Sequence, residues 1–161
     1  DAGEIYDEVI HTLPHHDLAA RSLFLKADIQ AKFEDYEDSI ESYQEVIRKF
    51  PKNDLALQSF LAIADVYLKQ CDPKRQDPNL LGQAELNLNK FKMKFPQEKK
   101  IKEAEKMFLK MQEIYAKGLL EVGNFFYRTK KKQAAELYYQ KIIGTYPETE
   151  AAKQASKRLN N

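Results

Sequence analysis

The chain has 161 residues, of which 43% are hydrophobic and 32% are charged, values typical of one folded domain rich in helix. It has a single cysteine, Cys71, which excludes an internal disulfide. No run of about 18 apolar residues occurs, so we expect no transmembrane span.

The net charge is only +1, but the charges are unevenly distributed along the chain. Residues 1–72 contain 15 acidic and 7 basic residues, whereas residues 90–133 contain 13 basic and 5 acidic ones. Such asymmetry usually indicates surfaces that bind partners. A solvated, lysine-rich helix face would explain the basic segment equally well.

A four-point pattern recurs four times along the chain. A small residue is followed at +4 by an aromatic residue or Leu, at +7 by an apolar residue, and at +11 and +12 by an apolar residue and Pro. The four runs begin at Ala2, Ser39, Ala84 and Ala135 and end at Pro14, Pro51, Pro96 and Pro147. Because +4, +7 and +11 share one helix face and Pro cannot continue a helix, each run predicts an amphipathic helix that ends before its proline.

Each of these helices is preceded by another amphipathic segment, so the pattern predicts stacked helical hairpins. In a single domain of residues 1–161 we expect a half repeat at 2–14, a repeat at 17–51, a repeat at 54–96 with an insertion at 71–78, an extra long helix at 98–116, a repeat at 117–147 and a C-terminal stub at 149–161. Asp54 is the expected N-cap of the second repeat. The sequence leaves open whether the extra helix continues into residues 117–129, since Gly118 weakens a helix by about 1 kcal/mol. Because the first residues already belong to a half repeat, we expect the chain to begin within a longer protein.

Small residues at fixed places and a closing Pro resemble the tetratricopeptide repeat (TPR), a helical hairpin of about 34 residues. The resemblance implies an all-α solenoid of antiparallel helical hairpins that forms a right-handed superhelix.

The second half resembles a narrower family. The Asp77-Pro78 insertion, the long helix, the segment 115–127, the pair Ala134-Ala135 and the run Tyr146-Pro147-Glu148-Thr149 are similar to the BamD family, also called YfiO or ComL. Its members are TPR lipoproteins of the outer-membrane β-barrel assembly machine. Over residues 1–70 the similarity is to TPR proteins in general.

The family resemblance implies a non-catalytic scaffold at the periplasmic face of the bacterial outer membrane. Its partners would be the periplasmic domains of a BamA-like insertase and unfolded outer-membrane proteins, and it would meet the membrane only through a lipid anchor upstream of this chain. The alternative is another TPR adaptor, either a periplasmic cell-envelope coordinator or a cytosolic, and hence cytoplasmic, secretion chaperone.

In TPR arrays the first helices of successive repeats line a concave surface, and side chains there that do not pack internally can bind a partner. Phe24 and Leu61 would be apolar anchors, and Asp28, Asp65 and Asn124 could hydrogen-bond a peptide backbone or, equally, a neighbouring helix. The predicted partner-binding set is Arg21, Phe24, Asp28, Lys32, Gln58, Leu61, Asp65, Lys69, Lys117, Leu120, Asn124 and Arg128.

No group of residues predicts an enzyme, a metal site or a cofactor. The histidines, His11, His15 and His16, straddle a Leu-Pro turn without a cysteine or paired carboxylate to complete a metal site. The acidic cluster at 34–41 spans a turn and a helix start, where carboxylates favour the helix dipole. Cys71 lacks a nearby base. The lysines of 90–110 are spread around their helices and arginines are few, so we do not expect nucleic acid as a partner.

Overall fold

The computed structural model describes residues 2–12 and 17–160, and within them the regular secondary structure is all α-helix. The helices are α1 (Ala2–Thr12), α2 (Asp17–Lys32), α3 (Tyr36–Lys49), α4 (Asp54–Lys69), α5 (Pro78–Lys94), α6 (Ile101–Arg128), α7 (Lys132–Thr145) and α8 (Glu150–Leu159). This confirms the predicted all-α fold. Leu13-Pro14, at the end of the first run, and His15 and His16 lie outside the described residues.

The helix ends follow from local sequence. Three second helices end at an aromatic residue that precedes Pro, and the N–H of that residue bonds to the carbonyl four residues earlier at 2.8–2.9 Å (Phe50, Phe95 and Tyr146). Pro then disfavours a helical conformation at the residue before it. At the start of α4, the side chain of Asn53 accepts a hydrogen bond from the N–H of Leu55 at 3.0 Å. The predicted cap, Asp54, was therefore wrong by one residue.

The helices pack as a repeat solenoid. Each helix packs against the next along the chain from α1 to α8. In addition, α2 contacts α4, α4 contacts α6 and α6 contacts α8. The backbones of α3 and α5 do not approach each other closely, and neither do those of α5 and α7. Side chains still link α3 and α5, since the ammonium of Lys94 donates to the carbonyl of Ile47 at 3.2 Å. A row of helices in contact on one side, with gaps on the other, makes a curved array. Helices α2, α4, α6 and α8 therefore form the inner row, and the predicted helical repeat solenoid is confirmed.

Small residues are buried where the helices of each hairpin meet. In the first hairpin, the hydroxyl of Ser39 donates a hydrogen bond to the carbonyl of Ala27 at 2.8 Å, and both residues are buried. In the last, a Cβ on Gly123 would lie 2.8 Å from the ring of Tyr139, which is closer than real Cβ contacts. Larger residues at these positions would push the paired helices apart.

Helix α6 runs unbroken through Gly118 and belongs to two hairpins at once. Ala104 in its first half packs against Phe60, Leu88 and Phe91 of the hairpin before it. Ala116 in its second half packs with Tyr139 of α7. The insertion between α4 and α5 crosses α6 between these halves, where the side chain of Gln76 donates to the carbonyl of Tyr115 at 2.7 Å.

Gly118 lets this insertion lie directly on α6. A Cβ at Gly118 would be 2.4 Å from the backbone oxygen of Pro73 and 2.7 Å from the side chain of Gln76. The clash with backbone can be relieved only by moving the insertion or the helix. The cost of that movement exceeds the gain in helix propensity that Ala would bring at this position.

We therefore expect Gly118→Ala to lower the free energy of unfolding by about 1–3 kcal/mol, the typical cost of overpacking. Gly82→Ala is the matched control, because Gly82 is also inside a helix but has no neighbour within 4 Å of an added Cβ. The control should raise the free energy of unfolding by about 0.5–1 kcal/mol. Urea unfolding followed by circular dichroism measures both. Equal stabilisation by the two substitutions would contradict the close contact.

Candidate functional site

The inner row carries all twelve side chains of the predicted partner-binding set, on α2, α4 and the second half of α6. Arg21 and Gln58 are exposed and line the same groove, which has a volume of about 880 Å³. The groove lies between the starts of α2 and α4 and is closed by the turn at residues 49–53. The side chain of Asn53 donates to the carboxylate of Asp17 at 3.1 Å, and this bond ties the turn to α2.

The two predicted apolar anchors are partly used by the core. Phe24 is half-buried, and its ring meets the ring of Tyr43 edge to face at a centroid distance of 5.2 Å. Leu61 is also half-buried and packs against the cluster around Phe60. Only the outer part of each side chain is accessible, so a partner would bury the remainder while the packed part supports the helix.

Asp28 and Asn124 occupy equivalent positions, and each accepts a hydrogen bond from a tyrosine of the paired helix. The hydroxyl of Tyr43 donates to the carboxylate of Asp28, and the hydroxyl of Tyr139 donates to the side-chain oxygen of Asn124 at 2.8 Å. Burial, and then the bond to Asp28, raise the pKa of Tyr43 well above its usual range. The inter-helix hydrogen bond that the sequence left as an alternative is thus present at both positions.

Asp65 differs from Asp28 because the paired helix α5 carries Leu88 where α3 carries Tyr43. Without a tyrosine partner, the carboxylate of Asp65 instead pairs with Lys69 at 2.7 Å. The hydrogen bond to Asp65 raises the pKa of Lys69 above its usual value. Asp65 and Lys69 are about half exposed, at 45% and 53% of their side chains, so this pair faces solvent on the inner row.

The remaining residues of the set divide between surface and core. Arg21, Lys32, Gln58, Lys117 and Arg128 are exposed. Leu120 is not, because it is 7% exposed and belongs to the core cluster between α6, α7 and α8. The expectation that Leu120 does not pack internally was wrong, since α8 packs on α6 and covers this part of its surface.

The structure contains a second groove that the register of first helices did not predict. It has a volume of about 620 Å³ and lies between α3 and α5, whose backbones do not approach each other closely. The buried rings of Phe60 and Tyr67 from α4 line it, and its sides include the apolar residues Ile40, Ile47 and Leu86. A sequence signal existed, because Leu86 is apolar at a position outside the packed face of α5.

The structure locates the one cysteine that the sequence considered as a nucleophile. Burial raises the pKa of the Cys71 thiol to about 11, so the thiol is protonated at neutral pH and is a poor nucleophile. Among the described residues, no group of His, Cys, Asp and Glu is arranged to hold a metal ion. No helix in the described ranges is long and apolar enough to cross a membrane.

The tyrosine hydrogen bonds should be measurable. Tyr43→Phe removes the donor to a half-buried carboxylate, so we expect it to lower the free energy of unfolding by about 1.5–3 kcal/mol, as for bonds to charged groups. Tyr139→Phe removes a bond between neutral groups and should cost about 0.5–1.5 kcal/mol. Tyr138→Phe is the control, since its hydroxyl makes no hydrogen bond within the described residues. Urea denaturation gives all three values, and an equal effect of the three substitutions would contradict the assignment.

Comparison with known proteins agrees with this architecture. A family model described as YfiO, outer membrane lipoprotein, matches residues 29–161. The matched range runs from the middle of α2 through α8, and it includes the insertion and the long helix. No curated protein matched the chain. Because the match covers most of the sequence, the chain belongs to the YfiO (BamD) family of outer-membrane lipoproteins.

Proposed function

We propose that this protein is a BamD-like scaffold of the outer-membrane β-barrel assembly machine, acting by binding alone. The observation that carries the proposal is the family match over residues 29–161. The family description also supports a location at the outer membrane and disfavours the cytosolic alternative. On this proposal the protein lies at the periplasmic face of that membrane, where it holds a BamA-like insertase and receives unfolded outer-membrane proteins.

The groove between α2 and α4 is the proposed site for the unfolded substrate. It offers the exposed polar groups of Arg21 and Gln58 beside the apolar side chains of Leu18 and Leu55. Polar and apolar groups together suit an extended peptide, whose backbone needs hydrogen bonds and whose side chains alternate. Further along the inner row, the Asp65–Lys69 pair is exposed and could exchange its internal bond for bonds to a peptide.

The basic second half is the proposed dock for the insertase. Lys102, Lys106 and Lys110 are exposed on the first half of α6, and none forms an ion pair within the described residues. By contrast, Lys92 and Lys117 are paired with Glu105 and Glu113. Unpaired cations on a helix surface attract an acidic partner and speed its association, an effect that salt weakens.

The substrate groove can be tested without disturbing the core. We expect Arg21→Ala combined with Gln58→Ala to weaken binding of a fluorescent segment of an unfolded outer-membrane protein about fivefold to tenfold, since both side chains line the groove. Both residues are exposed, so the free energy of unfolding should change by less than about 0.5 kcal/mol. Fluorescence anisotropy measures the affinity. Arg48→Ala is the control, because the side chain of Arg48 is 76% exposed on α3 and does not line the groove. Unchanged affinity in the double variant would place the substrate elsewhere.

The insertase dock can be tested by titration with the periplasmic domains of the same organism's insertase at two salt concentrations. Lys106→Gln with Lys110→Gln should slow association about tenfold at low salt and much less at high salt, because the lost attraction is screened. The control, Lys153→Gln with Lys157→Gln on α8, removes the same charge. An equal effect of both pairs would indicate that the association rate depends only on the net charge of the chain. Absence of binding by the unaltered chain would contradict the proposed partner.

A further inference from the structure

The turn between α6 and α7 combines exposed aromatic side chains with unpaired cations. We define the basic tip as residues 125–132, which carry a net charge of +4 and no acid. Phe125 is 53% exposed and Tyr127 is 42% exposed. Arg128 and the three lysines 130–132 are exposed, and none forms an ion pair within the described residues.

The tip lies well past the point where the insertion contacts α6, and it is internally ordered. The insertion contacts α6 at Gly118, and the ten residues that follow extend the helix by about 15 Å. Lys130 adopts a left-handed conformation, with φ of 60°, and the N–H of Lys131 bonds to the carbonyl of Phe126 at 2.9 Å. The ammonium of Lys131 lies 5.9 Å from the centre of the Phe126 ring. The cations and rings are therefore presented on a defined, projecting turn.

The fold does not require a basic turn at this place, because the α2–α3 turn has the same geometry with acidic residues. Glu34 is left-handed, with φ of 64°, and the N–H of Asp35 bonds to the carbonyl of Gln30 at 2.9 Å, as Lys131 does to Phe126. Phe33 beside it is 75% exposed. One turn contains Glu34-Asp35 and the other contains Lys130-Lys131, so the backbone geometry does not determine the charge of the turn. The charge of the basic tip therefore indicates the kind of partner that it binds.

The arrangement of the aromatic groups favours a surface over a single groove in a partner. Phe125 and Tyr127 are two residues apart, so they point about 200° apart around the last turn of α6. Phe125 thus flanks the tip on one side, and Tyr127, whose ring lies 5.8 Å from the guanidinium of Arg158, flanks it on the other. Leu137 of α7 is a further exposed apolar residue, at 67%. Aromatic side chains and lysines are the groups that settle at the interface of an anionic bilayer. From this geometry we infer that the basic tip binds the anionic phospholipid surface of a membrane, as a contact additional to the lipid anchor that the family implies.

Vesicle binding by the full chain tests the inference. We expect the chain to co-sediment with vesicles of phosphatidylglycerol and phosphatidylethanolamine, and not with neutral phosphatidylcholine vesicles. Lys130→Glu combined with Lys131→Asp should weaken this binding about a hundredfold, since each lysine near an anionic surface contributes substantially and reversal adds repulsion. The acidic turn at Glu34-Asp35 shows that this pair fits the backbone. Lys99→Glu with Lys100→Asp makes the same charge change at another exposed turn and should alter binding less than threefold.

A second matched pair of variants tests how much the aromatic side chains contribute to vesicle binding. Phe125→Ser should weaken vesicle binding about fivefold or more and make the remainder more sensitive to salt. Leu86→Ser, at the same 53% exposure on α5, should have no effect. Equal loss from the two charge reversals, or no binding of the unaltered chain to anionic vesicles at low salt, would overturn the inference. So would a tip variant that loses the insertase domains but keeps the vesicles, because the tip would then be a protein dock.

Discussion

The close approach of paired helices at small side chains is the constraint on which this structure depends. Where Ser39 bonds to the carbonyl of Ala27, the two helices are near enough for Tyr43 to reach Asp28 across the hairpin. The same approach at Gly123 brings Tyr139 to Asn124. Because the paired helices lie close together, the first helices of successive hairpins can also contact one another, and the inner row therefore depends on residues with small side chains.

The length of helix α6 changes which side chains the repeat exposes. Because its two halves serve different hairpins, its second half continues past the insertion held at Gly118 and Gln76. Phe125 in this stretch is 53% exposed, although it belongs to a helix whose opposite face is core. The insertion that interrupts the repeat thus also marks the point on α6 after which the helix leads to the basic tip.

The regular part of this fold could be predicted from the sequence, since the spacing of apolar residues and the closing prolines act locally. The burial of Leu120 could not be predicted, because it depends on α8 packing across α6, which is a contact between segments distant in sequence. Asp28 and Asp65 look equivalent by register, yet one is bonded to Tyr43 and the other to Lys69, as the facing helix decides. The groove between α3 and α5 is likewise a tertiary feature, and the apolar Leu86 alone does not define it.

The uneven distribution of charge along the sequence places opposite charges on different turns of the solenoid. The acidic α2–α3 turn and the basic α6–α7 turn are equivalent parts of their hairpins but carry opposite charges. An anionic surface would attract the second turn and repel the first. The groove between α2 and α4 is lined by the starts of those helices, at the far end of α2 from the acidic turn. If the basic tip touches the bilayer, repulsion therefore acts on the end of the first hairpin that does not carry the groove, and the charge asymmetry orients the hairpin without placing an acidic group at the groove itself.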